Sequence, residues 1–263
     1  MGITNMKLPH LSHRLQAIVD LLGEGGAHYG TVADVGCDHG WVSITLVQKG
    51  ITDRVIASDV RPGPLERAKE HVAQYGLEEK IETVLSDGLS HIGPHGYGAN
   101  GDGPKQQKKT VMTATSVDAA VIAGMGGMLI CDILNECAGR EALPQHLVLQ
   151  PQLSWQEVRQ CLRKHSYQIL TEDMVKEDGK FYVMMHAKKM RDDRKRDSRE
   201  TEIADRFGPR LLEKKHPMLK EWLLAQHENY TKIKGNLSDD HEDRDGIEKK
   251  LYYLDEALRH FDM

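Results

Sequence analysis

The run Thr31-Val-Ala-Asp-Val-Gly-Cys-Asp-His-Gly-Trp41 constrains the fold more than any other stretch of this chain. A short apolar strand ends in the acidic Asp34, and Gly36 turns the chain at once. A polar segment bearing Asp38 and His39 then opens a helix. Strand, glycine turn and helix in this order begin a Rossmann-like α/β fold, whose turn holds the adenosine part of a nucleotide-like ligand. The missing side chain of Gly36 lets such a ligand lie against the backbone.

The spacing departs from the dinucleotide-binding form. After Gly36 the next glycine is Gly40, and Asp38 stands where a phosphate-cradling loop would carry a small neutral residue. A carboxylate repels a pyrophosphate and attracts a sulfonium cation. The loop therefore favours S-adenosylmethionine over NAD.

The rest of the chain alternates in the matching way. Apolar spacing predicts a helix over Leu8–Leu22, starting near Pro9 or Ser12. Strands are expected at Thr31–Gly36, Arg54–Asp59, Ile81–Leu85, Val117–Ala123 and Leu147–Gln150. Helices are expected at Asp38–Lys49, Pro62–Tyr75, Met128–Cys137 and Trp155–Lys164. Such βα alternation builds a parallel sheet covered on both faces. Two further strands, Gln168–Val175 and Phe181–Lys188, flank Asp178-Gly179, a strong hairpin turn. A sheet ending in a reversed strand is the pattern of class I methyltransferases rather than dehydrogenases. Beyond Met190 the composition changes to a charged segment, Arg191–Arg199. Two heptad-like apolar stripes follow, Leu219 to Leu237 and Ile247 to Phe261, and predict an antiparallel, coiled-coil-like helical hairpin. The expected architecture is thus α/β: a Rossmann-like, mainly parallel seven-stranded sheet ending in an antiparallel hairpin, plus a C-terminal helical hairpin. The expected division is residues 1–190 for cofactor binding and 191–263 for the helical part, with a glycine-rich surface insertion at 93–116.

Composition limits the alternatives. The chain has 263 residues, enough for a sizeable core, and no membrane-length apolar run or signal-peptide profile, which predicts a cytoplasmic protein. The four cysteines form no Cys-x-x-Cys pair and read as buried, reduced thiols. The 14 histidines lack metal-ligand spacing, so no metal is expected. A net charge of −5 opposes bulk nucleic-acid affinity but leaves room for a local basic patch.

Several residues stand where chemistry is expected. Asp34 ends the first strand and organises the glycine loop. Asp59 ends the second and suits the two ribose hydroxyls, with a helix N-cap as the alternative role. Asp87 and Gly88 follow the third strand, where an acidic residue takes an adenine amine or merely makes a turn. Gly124, Met125 and Gly126 follow the fourth; the Asn/Asp-Pro-Pro-aromatic loop of many amine methyltransferases is absent, and open backbone takes its place. Met125 packs either on a base or in the core. Arg14, just before the first strand, is placed to reach a cofactor carboxylate. Asp38 abuts the cofactor loop and is the candidate catalytic group, with His39 beside it.

Asp34-Val-Gly-Cys-Asp-His-Gly40, Ile122-Ala-Gly-Met-Gly-Gly127 and Leu149-Gln-Pro-Gln152 together resemble the bacterial tRNA (adenine-22-N1)-methyltransferase family. Leu11-Ser-His-Arg-Leu15, Glu177-Asp-Gly-Lys-Phe-Tyr182 and the helical C-terminus extend the resemblance over nearly the whole chain, although 93–116 is longer than that family's pattern. The resemblance implies a class I fold, S-adenosyl-L-methionine as donor and tRNA as partner. The expected reaction is methyl transfer to adenine N1, with Asp38 as the negative group near the developing positive charge. His39, Lys7 and Arg61 are expected on the substrate side, with Arg14, Lys105, Lys108, Lys109 and Arg191–Arg199 as further basic candidates for the tRNA backbone. No membrane partner is expected, and the oligomeric state stays open with a monomer as the expected form. Three alternatives stand beside this reading: a non-catalytic cofactor-sensing RNA-binding protein, an NAD-dependent oxidoreductase, and a methyltransferase of proteins or small molecules.

Overall fold

Ser12 starts the first helix: its Oγ accepts the backbone N–H of Leu15, and α1 runs His13–Leu22. Of the two expected starts, Pro9 and Ser12, the serine is the one that caps the helix. The computed structural model describes residues 8–90, 117–190, 198–238 and 241–262. The whole of the 93–116 insertion and most of the charged segment at 191–199 lie outside the described residues, as do Lys7, Lys105, Lys108 and Lys109.

The core alternates as expected: β1 (Tyr29–Val35), α2 (Trp41–Gln48), β2 (Thr52–Asp59), α3 (Pro62–Gln74), β3 (Ile81–Leu85), β4 (Ala119–Met125), α4 (Gly127–Gly139), β5 (His146–Pro151), α5 (Trp155–Lys164), β6 (Tyr167–Glu177) and β7 (Lys180–Lys189). The seven strands form one sheet in the order β3-β2-β1-β4-β5-β7-β6. β1 to β5 pair in parallel, and β7 lies antiparallel between β5 and β6. The hairpin turn is Asp178-Gly179, both at positive φ (49° and 74°), as a two-residue I′ turn requires. The boundary that bears on the loop moves by three residues: α2 starts at Trp41 rather than Asp38, because Asp38 (φ 49°) and Gly40 (φ 74°) are both left-handed. Asp38 is therefore a turn residue, not the helix cap.

Strand alternation sends side chains to two apolar clusters. Ala120, Ile122, Leu147 and Leu149 face α4 and α5, whereas Ala119, Val121 and Val148 face α1 and α2. Four helices follow the sheet: α6 (Ser198–Phe207), α7 (Pro209–Glu213), α8 (Pro217–Gly235) and α9 (Arg244–Asp262). α8 and α9 form the expected antiparallel pair, tied by His227–Asp255 at 3.1 Å and Lys234–Glu248 at 2.9 Å. α6 and α7 had no counterpart in the sequence reading. They carry Phe207, Leu211 and Leu212 into the same cluster as the sheet. A fully buried pair fixes this junction: Arg159 Nε donates to Glu172 Oε1 at 2.8 Å, and Arg159 Nη1 donates to the Asp205 carbonyl at 2.9 Å.

Candidate active site

Between β1 and β4 the strand order reverses, and a cavity of about 360 Å³ opens at the carboxyl ends of the strands there. Its walls include Arg14, Asp34, Gly36, Asp38, His39, Asp59, Arg61, Asp87, Gly88, Gly124 and Met125. Residues spread over more than a hundred positions of sequence thus meet at one place. Gly126 stands next to it as the N-cap of α4.

The first loop is organised differently from the expectation for Asp34. The backbone N–H groups of Gly36 and Cys37 both donate to the Ser58 carbonyl, at 2.8 and 2.9 Å. Asp34 instead accepts the Ser43 hydroxyl at 2.6 Å, tying β1 to α2. Burial pushes its carboxyl up to about 6, partly offset by the Ser43 hydrogen bond. Gly36 has φ 73°, and a side chain there would collide with the Met125 methyl group. Asp38 is half-exposed, with Arg67 Nη2 at 3.8 Å and His39 Nε2 at 3.7 Å. The His39 carbonyl accepts from His71 Nδ1 at 2.9 Å, and the His71 ring stacks on Trp41 with centroids 4.0 Å apart.

Asp59 is 3% exposed, and its Oδ1 accepts the Arg61 backbone N–H at 2.9 Å. The turn-forming role and the place on the cavity wall belong to the same carboxylate. The Arg61 side chain is exposed at the rim, 3.6 Å from Asp59.

The far wall was only half legible in the sequence. Gln150 is fully buried near the end of β5, and its Oε1 accepts from both Arg14 Nη1 (2.7 Å) and the Gly124 N–H (3.1 Å). Arg14 is further held 3.9 Å from Glu177 and 5.4 Å above the Tyr182 ring. Gln152 Nε2 donates to the Gly124 carbonyl at 2.9 Å. Neither glutamine was assigned a role from sequence. The signal was Gln150 itself, an uncharged polar residue closing an apolar strand. The four cysteines are free and buried, and burial raises the Cys37 thiol far above its ordinary value.

This donor set can be tested against a ligand class. Four carboxylates, those of Asp34, Asp38, Asp59 and Asp87, line the cavity against the two guanidinium groups of Arg14 and Arg61. A pyrophosphate is disfavoured there, whereas an adenosine carrying a sulfonium fits. Asp59 suits the ribose, Asp87 an amine and Arg14 a carboxylate.

Comparison with known proteins agrees with this fit. Residues 105–261 match the family described as tRNA (adenine(22)-N(1))-methyltransferase, and residues 11–99 match a methyltransferase domain. A tRNA (adenine(22)-N(1))-methyltransferase of Bacillus subtilis is 30% identical over 215 residues, 81% of this chain and 79% of that protein. The chain belongs to this family. Streptococcus pneumoniae Sp1610, a candidate tRNA (m1A22) methyltransferase, has a crystal structure 28% identical to this chain. It covers 95% of this chain and 100% of its own, with a TM-score of 0.77. The same protein in complex with S-adenosyl-L-methionine matches at a TM-score of 0.74, with the same identity and coverage. Family membership sets aside the oxidoreductase alternative.

Proposed function

We propose that this chain methylates N1 of adenine 22 in tRNA, using S-adenosyl-L-methionine. The observation that carries the reading is the match to that family over residues 105–261, joined to a cavity whose carboxylates fit a cationic adenosine ligand. When bound, S-adenosyl-L-methionine supplies an electrophilic methyl group on sulfur. Asp59 holds the ribose hydroxyls, Asp87 the adenine amine of the donor and Arg14 its carboxylate. The Gly124-Met-Gly126 turn leaves room for the target base between these grips and β5.

The N1 lone pair of the target adenine forms the new N–C bond as the S–C bond breaks. The base becomes cationic and no proton has to leave first. The work of the chain is therefore alignment and charge placement. Asp38 faces the positive charge as it passes from sulfur to the base, with Arg67 and His39 loosely paired to it at 3.8 and 3.7 Å. A paired adenine has to leave its stack for N1 to reach this cavity. Arg61 at the rim, with Lys7 and the lysines of 105–109, is assigned to the tRNA backbone.

The test is direct. tRNA incubated with the protein and methyl-labelled S-adenosyl-L-methionine is digested and its nucleosides mapped by mass. N1-methyladenosine at position 22 is expected. Cofactor binding without any methylated nucleoside, or a label elsewhere, would overturn the reading.

A further inference from the structure

An enzyme acting at N1 of adenine must reject guanine, which carries a proton on N1 and a carbonyl oxygen on C6. Resting on the function proposed above, we infer that Gln152 makes this distinction. Its Oε1 accepts a hydrogen bond from the 6-amino group of the target adenine, while Leu129 bears on the face of the base.

The orientation of the Gln152 amide is fixed by its partner. The Gly124 carbonyl can only accept, so the side-chain atom 2.9 Å from it is Nε2 and not Oε1. Oε1 is then the acceptor end of a side chain that lines the cavity. The backbone is pinned as well. Gln152 N donates to the Met125 carbonyl at 2.8 Å, Pro151 restricts the residue before it, and Ser154 is left-handed with φ 59°. Gly127 lets this segment close on α4, since a side chain there would strike the Leu153 carbonyl. Gln152 is thus held through backbone and side chain on the Gly124–Met125 turn, and a flip of its amide would give up the hydrogen bond to the Gly124 carbonyl.

Its place in the sheet agrees. Asp59 and Asp87 follow β2 and β3, on one side of β1, while Gln152 follows β5, on the other side. A donor held through its adenosine by those acids presents its methyl end toward β4 and β5. Leu129, which lines the cavity together with Gln152, is 50% exposed. An exposed apolar side chain on the wall that carries this acceptor matches a flat heterocycle with an amino edge. Guanine would set its O6 against Oε1, two acceptors with no proton between them. Asp38 follows β1 and serves charge, whereas Gln152 serves identity.

The experiment uses the full chain and two tRNA substrates. One carries adenosine at the methylated position, the other purine riboside, the same base without its 6-amino group. The readout is the ratio of kcat/KM for the two. Gln152→Ala should shrink the wild-type ratio about tenfold, the weight of a hydrogen bond to a base that turns cationic. Gln152→Met, which keeps the length, should do the same. Asp38→Asn should slow both substrates together and keep the ratio. Because each ratio is taken within one variant, a general loss of activity leaves it readable, and calorimetry with S-adenosyl-L-methionine checks the Gly124 turn. A wild-type ratio in both Gln152 variants overturns the inference. So does its collapse in Asp38→Asn alone. Absence of N1-methyladenosine from the wild-type reaction would sink the proposed function itself, and this inference with it.

Discussion

Asp59 and Asp38 are both carboxylates on one cavity wall, yet their surroundings give them different work. Asp59 is nearly enclosed and already bonded to the Arg61 backbone, so it is a fixed acceptor. Asp59→Ala should weaken S-adenosyl-L-methionine binding by about a hundredfold, the worth of two hydrogen bonds to a charged acceptor; calorimetry measures it. Asp38 is half-exposed and loosely paired, so it gives little to ground-state binding. Asp38→Asn should leave cofactor affinity within about threefold but lower kcat about a hundredfold, on the scale of a lost electrostatic contact. A cofactor affinity that falls in step with kcat would remove the catalytic assignment. Away from the site, His186 on β7 is buried with Nε2 3.0 Å from His146 Nδ1. Burial, then the neighbouring His146, lowers its pKa from 6.5 to about 4. The unfolded chain therefore takes up this proton first. The stability that His186 gives is complete above about 6.5 and drains away as pH falls through 4. Asp34, raised to about 6 by burial, slopes the other way: its share is complete below 3.8 and is lost as pH rises through 6. The contrast with His186→Gln isolates the first slope. Urea midpoints between pH 6.5 and 4 should fall more steeply for the wild type, and parallel curves would show that His186 does not titrate in this window.

At the scale of elements, the junction of α5, β6 and α6 rests on the Arg159–Glu172 pair, which water does not reach. Removing one partner leaves a buried charge alone, so Arg159→Ala should cost about 3–5 kcal/mol in urea unfolding. Removing both, as Arg159→Met with Glu172→Leu, should cost much less. Equal losses in the two variants would mean that the pair is not isolated from solvent. This junction also shows what sequence can and cannot give. β1, β2 and β4 were legible because each is an apolar run closed by glycine or an acidic residue, and α5 by its apolar stripe. The acids of the cofactor loop were legible because each stands at a strand end. α6 and α7 were not, since Phe207, Leu211 and Leu212 stand among charged residues and Gly208-Pro209 interrupts any period. The start of α2 was misplaced because the left-handed turn at Asp38 is decided by Ser58 on the neighbouring strand, whose carbonyl takes two loop amides. Gln150 and Gln152 gained meaning only once β4 lay beside β5.

For the whole molecule, the division at residue 190 separates two compositions but not two cores. Leu219, Leu223, Leu254 and Ala257 of the C-terminal helices share one apolar cluster with Ile122, Leu147 and Met185 of the sheet. These faces are covered by the fold itself. The molecule should then unfold as one cooperative unit. Its tryptophans make this measurable. Trp41 packs on His71 beside the cavity, whereas Trp155 and Trp222 meet at the helical junction with centroids 5.5 Å apart. A Trp41-only variant, with Trp155→Phe and Trp222→Phe, reports on the sheet, and Trp41→Phe reports on the junction. Within each variant the fluorescence and circular-dichroism midpoints in urea should coincide. A chain ending at residue 190 uncovers the face that α6 to α9 bury and should aggregate or lose its transition. Separate midpoints for the two reporters, or a truncated chain that unfolds as sharply as the sheet does in the full one, would mean that residues 191–263 are an independent domain. In that case the C-terminal helices would be free to move against the sheet when tRNA binds, instead of sharing one core with it.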